Sequence, residues 1–347
     1  GVSACSIGHC NKHVTTAVQN QINKYSHVMV YGEYIQDPQY KLAKLLADNL
    51  PESLSTTYFT NSGAEAIEGA IKLAKRINKR SEIIYCKDSY HGSTHGALSV
   101  MGNEEYKSNY RPLLPNCNQI IYNNLESLEK ISDKTSAVIV ETIQGASGFI
   151  EASQDFLNQL KKKCIEFNVL IIFDEIQTCF GRTGKLFGFQ HTEIVPDILC
   201  IAKGMGGGFP IGAFISSWEN MNKLTHNPKL GHITTFGGHP VGCAASHATL
   251  DYILKNNIAD SINEKEILFR KLLKHKKIKS ISGKGLMLSL DLHENNETVR
   301  IVESCMNDGL LLFYFLFNDA SIRITPPLTI TTEDIKKGCK ILLENLD

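Results

Sequence analysis

Between about Tyr58 and Ser217, short runs of continuously apolar, β-branched residues alternate with longer stretches whose apolar positions recur at helical spacing. Strands without polar interruptions belong to a parallel sheet covered on both faces, and the intervening helices supply the cover. The clearest strands are SEIIYC (Ser81 to Cys86), SAVIVE (Ser136 to Glu141), VLIIFDE (Val169 to Glu175), DILCIA (Asp197 to Ala202) and GAFISS (Gly212 to Ser217). One helix starts at Asn61-Ser62-Gly63 and gathers Ile67, Ala70, Ile71, Ala74 and Ile77 on one face. A second starts at Ser153 and gathers Phe156, Leu157, Leu160, Cys164 and Phe167. Both open on a polar cap.

Past about Asn263 the pattern changes to a Lys-rich helix (Glu264 to Lys279), the segments GKGLMLSLDL and IRITPPLTI, and a closing helix from Thr332. The expectation is a large α/β domain with a mainly parallel central sheet over 52–262 and a smaller α+β domain over 263–347. Residues 1–51 precede the alternating region and are expected to join the smaller domain in part. At about 150 residues per domain, a chain of 347 residues accommodates two.

Composition narrows the function. Lys plus Arg and Asp plus Glu both total 36, which leaves no net field to attract nucleic acid or an anionic membrane. Small-molecule partners are therefore expected. The ten cysteines are scattered without a CxxC pair and read as free thiols of a reducing compartment. No apolar run has the length of a membrane span, and the opening GVSACSIGH has neither the basic region nor the apolar core of a signal peptide. Together these features favour the cytoplasm. No initiator Met is present, so further residues are expected upstream.

Ligands of an open parallel sheet bind beyond the carboxyl ends of its strands. Those ends are unusually polar in this chain. SAVIVE ends in Glu141, VLIIFDE in Asp174 and Glu175, and DILCIA is followed by Lys203 and the turn GMGGGFP. An apolar strand ending in Asp-Glu also describes the magnesium-holding strand of a P-loop ATPase, but no GxxxxGK[ST] is present, and Gly204, Gly206, Gly207 and Gly208 do not fit GxGxxG. The acids could equally cap a neighbouring helix, and Lys203 could be a solvated loop lysine. Considered together, a lysine after a buried strand and a carboxylate at the end of the adjacent one meet the electrostatic needs of pyridoxal phosphate: an amine made nucleophilic by burial and a partner for the pyridinium nitrogen. The phosphate then has a place at Ser62, Gly63 and Ala64, which open a helix, although Asn-Ser-Gly also serves as an ordinary cap. Tyr90 in SYHGSTHG offers a ring to stack on the pyridine, or is a plain turn aromatic. His91 and His95 stand four apart without the HExxH glutamate, so metal binding carries little weight.

The strings GHCNK, TNSGAEAIEGAIKLAKR, YHGSTHGALSVMG, VIVETIQG, LIIFDEIQTCFGRTG, PDILCIAKGMGGGFPIGA, TTFGGHPVGCAA and IRITPPL follow one another over nearly the whole chain. In this order and spacing the sequence resembles the class III aminotransferases, the acetylornithine, ornithine and 4-aminobutyrate aminotransferase group of fold-type I pyridoxal-phosphate enzymes. The resemblance implies a homodimer with shared active sites that transfers an amino group between an amino acid or amine and a keto acid. It assigns the Schiff base to Lys203, the pyridine nitrogen to Asp174 and the ring hydroxyl to Gln177. Tyr90 and Ile176 pack on the two ring faces. His91 and Glu141 complete the cofactor site, and the phosphate takes Ser62, Gly63 and Ala64 with Thr235 from the partner subunit. Arg323 holds a substrate carboxylate, and part of the segment 1–51 covers the dimer surface.

Several positions depart from the family pattern. Ala146 stands where a glutamate usually gates the carboxylate-binding arginine, and Ser93 where many members have arginine. Thr142 replaces a usual proline, Cys179 a glycine, His239 an asparagine, and Asn11-Lys12 a His-Pro. Relatives of this fold also decarboxylate, racemise, shift amines or eliminate phosphate, and a non-catalytic homologue is a further alternative. Joint retention of Lys203, Asp174, Gln177 and Arg323 favours a catalyst.

Overall fold

A computed structural model describes residues 2–294 and 297–347. Its strands are β1 (Thr56–Thr60), β2 (Glu82–Cys86), β3 (Cys117–Ile120), β4 (Thr135–Glu141), β5 (Ile143–Gln144), β6 (Ile150–Glu151), β7 (Leu170–Asp174), β8 (Ile198–Ile201), β9 (Gly212–Ser216), β10 (Ile278–Lys284), β11 (Met287–Leu292), β12 (Phe313–Tyr314) and β13 (Ser321–Ile324). Seven of them form the central sheet in the order β1-β9-β8-β7-β4-β2-β3. From β8 across to β3 the pairs are parallel, so the chain has the expected α/β architecture with a mainly parallel central sheet. Strand residues alternate between two cores. Val138, Val140 and Phe173 pack towards the face that carries helix Gln154–Phe167, whereas Ala137, Ile139 and Ile172 pack with helix Gly63–Asn78.

The five expected strands are present, but β9 does not run with the others. It is antiparallel to both β8 and β1. The connection from Ile201 to Gly212 is a short glycine-rich loop with a single 3-10 turn, Lys203–Gly206, and no crossover α-helix, and a parallel return needs a dozen or more residues. Edge strands β1 and β3 carried no continuous apolar signal because their residues are mostly half-buried or exposed. The Lys-rich helix is also shorter than its pattern, spanning Ile262–Leu272. Beyond it, Ile278 to Lys284 form β10, where Ile281 pairs with Leu290 of β11. Strands β10, β11, β13 and β12 make a second, antiparallel sheet with its own core around Leu288, Leu290, Ile322 and Ile335.

Within the first 51 residues, helices Lys12–Lys24 and Asp37–Ala47 pack on helix Pro240–Lys255, and the Ser6 carbonyl accepts from the Leu328 amide at 2.7 Å. Two departures from the family pattern keep a capping function. Asn11 accepts from the His13 amide at 3.0 Å, and His239 accepts from the Val241 amide at 3.3 Å, each at the start of its helix. Among the described residues no helix is long and apolar enough to cross a membrane.

Candidate active site

Strand register assembles most of the site. Glu141 pairs with Asp174 across β4 and β7, and Asp174 pairs with Cys200 across β7 and β8, so three strands deliver their carboxyl ends to one edge. Tyr90 and His91 follow β2, and Lys203 follows β8. Ser62, Gly63 and Ala64 begin the helix Gly63–Asn78, which the Ser62 hydroxyl caps by accepting from the Glu65 amide at 3.2 Å. Ser62, Gly63, Ala64, Tyr90, His91, Glu141, Asp174 and Lys203, with Ile176, Gln177 and Arg323, line a single cavity of about 660 Å³. Thr235 is exposed and does not line it.

The two acids of VLIIFDE separate. Glu175 is fully buried and turned away, where its carboxylate accepts from the Gly188 and Phe189 amides and the Thr178 hydroxyl. Asp174 faces the cavity. Its Oδ1 accepts from the Ile176 amide at 2.9 Å, and its Oδ2 accepts from His91 Nδ1 at 2.7 Å. Burial alone pushes His91 down, but the hydrogen bond and charge of Asp174, with Glu141 behind, raise it above its ordinary value. His91 is therefore a partner of Asp174 and forms no metal pair with His95, whose Nε2 meets the Pro112 carbonyl at 2.8 Å. Among the described residues no cluster of His, Cys, Asp or Glu is arranged to hold a metal ion.

Glu141 ties two loops together, accepting from the Tyr90 amide at 3.2 Å and the Gly145 amide at 2.7 Å. Burial pushes its carboxyl up to about 7, against the pull of His91. Lys203 is held at φ 43°, a left-handed conformation that costs energy for a non-glycine residue and is concentrated at functional sites. Burial lowers the Lys203 pKa although Asp174 and Glu141 raise it, and its amine makes no hydrogen bond among the described residues. Gly92, at φ 122°, lets the Tyr90 loop close on the helix start, since a Cβ there would lie 2.6 Å from the Ala64 Cβ. A Cβ on Gly63 would come within 2.7 Å of Ile176 Cδ1, so Ile176 seats directly against the same helix start. Gln177 Nε2 donates to the Ser3 hydroxyl at 3.2 Å.

On the opposite wall, Arg323 Nη2 donates to the Gly145 carbonyl at 3.1 Å, while its buried Nε has no partner. The guanidinium lies 4.7 Å from the Phe315 ring and 5.4 Å from Phe149. Burial lowers it to about 10, and it forms no ion pair among the described residues. At Ala146 no side chain reaches for it. Instead the Ala146 carbonyl accepts from the Phe317 amide at 3.0 Å, and Ser93 is engaged with the Tyr90 hydroxyl at 3.2 Å. Sequence reasoning missed the aromatic setting of Arg323 and the cavity-lining residues Phe313, Tyr314 and Leu316. The run FYFLF was their only trace, and it fits no chemical motif.

The donor set fits pyridoxal phosphate. Gly63 and Ala64 belong to the first turn of a 16-residue helix, whose amides have no intrahelical acceptors and suit a phosphate. Asp174 is an oriented carboxylate for a ring nitrogen, and Lys203 is a free amine for an aldehyde.

Comparisons with known proteins agree with this fit. The model of the family described as aminotransferase class-III matches residues 1–346. The chain is 38% identical to the acetylornithine aminotransferase of Caldanaerobacter subterraneus, covering 99% of this chain and 87% of that protein. With its Clostridium acetobutylicum counterpart the identity is 37%, over 100% and 90%. Among solved structures, the ornithine aminotransferase of Toxoplasma gondii, crystallised with pyridoxal phosphate in partial occupancy at its active site, superposes with a TM-score of 0.91. Identity there is 28%, over 99% of this chain and 84% of the other.

Proposed function

The chain belongs to the class III aminotransferases, and from that premise we propose that Lys203 holds the cofactor and moves the proton at the donor's α-carbon. Members of this family are pyridoxal-phosphate-dependent enzymes, and this one catalyses transamination between an amino donor and a keto acid. When bound, the cofactor supplies an aldehyde that condenses with amines and a ring that takes up the electron pair left by the departing proton. The remaining work falls to the chain. Asp174, oriented by His91 and the Ile176 amide, holds a proton at the ring nitrogen. Ser62, Gly63 and Ala64 bind the phosphate, Tyr90 and Ile176 bound the ring, and Gln177 meets its hydroxyl. Glu141 keeps the Tyr90 and Gly145 loops in place. The lowered pKa of Lys203 increases its neutral fraction, which a base requires.

Arg323 binds the substrate's α-carboxylate as a planar two-pronged donor. The observation that carries the whole reading is an unbonded lysine with a lowered pKa, sharing one cavity with an Asp–His pair, an open helix N-terminus and an unpaired arginine. Although the relatives act on acetylornithine, no carboxylate gates Arg323 and no arginine stands at Ser93. The proposed substrates are α-amino acids and α-keto acids, with glutamate favoured over alanine by no more than about tenfold, ~1.4 kcal/mol. A panel of amino donors against pyruvate and 2-oxoglutarate tests this. Keto-acid formation is expected, and Arg323→Ala should raise KM for carboxylate substrates on the order of 10- to 100-fold. No keto acid from any donor would overturn the proposal.

Two copies are proposed to share their sites, each supplying Thr235 to the other's phosphate. A groove of about 740 Å³ near Thr235, lined by Tyr34, Ile35, Trp218, Leu230, Ile233 and Thr234, supports this, since the first five of these are exposed. A fully active monomer in sedimentation would refute it. The cofactor is assigned to residues 52–262 and the carboxylate-binding wall mainly to 263–347. All ten cysteines are free, which suits a cytoplasmic setting.

A further inference from the structure

The part of the cavity lining that carries Arg323 holds more apolar surface than binding a carboxylate requires. In the run Phe313 to Phe317, the central Phe315 is buried under Arg323 and packs edge-on against Phe149, with centroids 4.7 Å apart. Its neighbours are far more open. Phe313, Tyr314 and Leu316 are 54%, 40% and 42% exposed, and all three line the cavity. The Phe313 and Tyr314 rings are stacked at 4.5 Å and 15°.

This wall is anchored at both ends. Phe313 pairs with Arg323 across β12 and β13, which fixes its backbone next to the arginine's strand. At the far end the Phe317 amide donates to the Ala146 carbonyl at 3.0 Å, and the Phe317 ring packs against Tyr106 at 5.3 Å. Ala146 lines the same cavity as Phe313, Tyr314 and Leu316.

Charge on the cavity lining is limited to groups that already have a task. Asp174 is bonded to His91 and the Ile176 amide, and Glu141 to two backbone amides, so neither is free for a distal ammonium. Among the described residues of one chain, Arg323 and Lys203 are the lining's cations apart from the His91 ring, and none of them supplies a third for a second carboxylate. A donor with its α-carboxylate on Arg323 and its α-carbon at Lys203 thus meets apolar surface where a charged tail would need a counter-ion.

We infer that Phe313, Tyr314 and Leu316 form the side-chain subsite, and that the preferred substrates are α-amino and α-keto acids with a bulky apolar or aromatic side chain. This rests on the transaminase reading above. A hydrophobic pocket discriminates through the apolar area it buries, by roughly 10- to 200-fold per substrate feature.

The test uses the pyridoxal-phosphate-loaded enzyme and has two arms. In the binding arm, calorimetry compares 3-phenylpropionate, propionate and glutarate. 3-Phenylpropionate should bind at least tenfold more tightly than either of the others, and Phe313→Ser or Leu316→Ser should erase most of that margin, while Phe313→Leu restores part of it. In the kinetic arm, kcat/KM for phenylalanine and leucine should exceed that for alanine, glutamate and acetylornithine by at least tenfold, with the serine variants raising KM for the bulky donors more than they lower kcat. If glutamate or acetylornithine is the better donor by tenfold, or 3-phenylpropionate binds no better than propionate, the inference is overturned while transamination itself stands. Failure of every donor would overturn the transaminase reading and this inference with it.

Discussion

On the wall of the cavity built by the central sheet, the acids are tied down: Asp174 by His91 and the Ile176 amide, and Glu141 by the Tyr90 and Gly145 amides. Lys203 alone is left free among them. On the wall built by the four-stranded sheet, Arg323 rests between two rings and its Nε has no partner, while Phe313, Tyr314 and Leu316 present carbon to the cavity. Hydrogen bonds fix the first wall to one geometry, which suits a cofactor whose chemistry is the same in every turnover. Packing shapes the second, and packing tolerates exchange of one apolar group for another far better than a hydrogen-bonded network tolerates loss of a member. Changes to the first wall should scale all substrates alike, whereas changes to the second should re-rank them.

The largest effect that could break this contrast comes from Lys203. Lys203→Ala should still bind pyridoxal phosphate through Ser62 and the helix start, yet lose more than about 10⁴-fold in kcat with every donor, because both the nucleophile and the base are gone. Borohydride reduction followed by peptide mapping locates the attachment in the wild type. Fixation on any other lysine would remove Lys203 from its role, and donor-dependent losses would blur the two walls.

Next in size is Asp174→Asn. The amide keeps the shape and can still accept from the Ile176 amide, but carries no charge for the ring nitrogen, so kcat should fall on the order of 10²- to 10⁴-fold for all donors. A second readout separates this from simple misfolding: His91, without the charge and hydrogen bond that raise it, should titrate lower than in the wild type. Unchanged turnover with bound cofactor would count against the assignment.

The two walls also differ in how far they could be read from the chain. Asp174 and Lys203 end or follow strands of uninterrupted apolar residues, so the fold places them at the sheet's edge and local sequence suffices to find them. The bond between His91 and Asp174 joins residues 83 positions apart and leaves no periodic trace. Arg323 stood out by motif, but its rings come from residues 149 and 315, brought together only by the packing of the second sheet onto the β5–β6 hairpin. Edge strands β1 and β3 were missed for a related reason: half-buried strands mix polar and apolar residues and resemble loops. The reversed direction of β9 was available in the length of its connection, which is too short for a parallel crossover.

The smallest effect concerns Glu141 and is read in stability. Burial raises its carboxyl to about 7 in the folded protein, against an ordinary value near 4.5. Between these values the folded chain keeps a proton on Glu141 that the unfolded chain has released, so raising the pH favours unfolding. One such group contributes a loss of about 1.4 kcal/mol per pH unit across that window, and nothing further above it. His91, Asp174, Lys203 and Arg323 also act on Glu141, but they remain in a Glu141→Gln variant, whose amide cannot titrate. That variant loses absolute stability, because its side-chain NH₂ turns a donor towards one of the two backbone amides that the carboxylate satisfied. The diagnostic quantity is therefore the slope. Urea unfolding at pH 5, 6 and 7 should show stability falling less steeply with pH in Glu141→Gln than in the wild type, by about the amount given. Equal slopes would mean that Glu141 is ionised throughout this range and that the cofactor wall carries one more negative charge than its burial indicates.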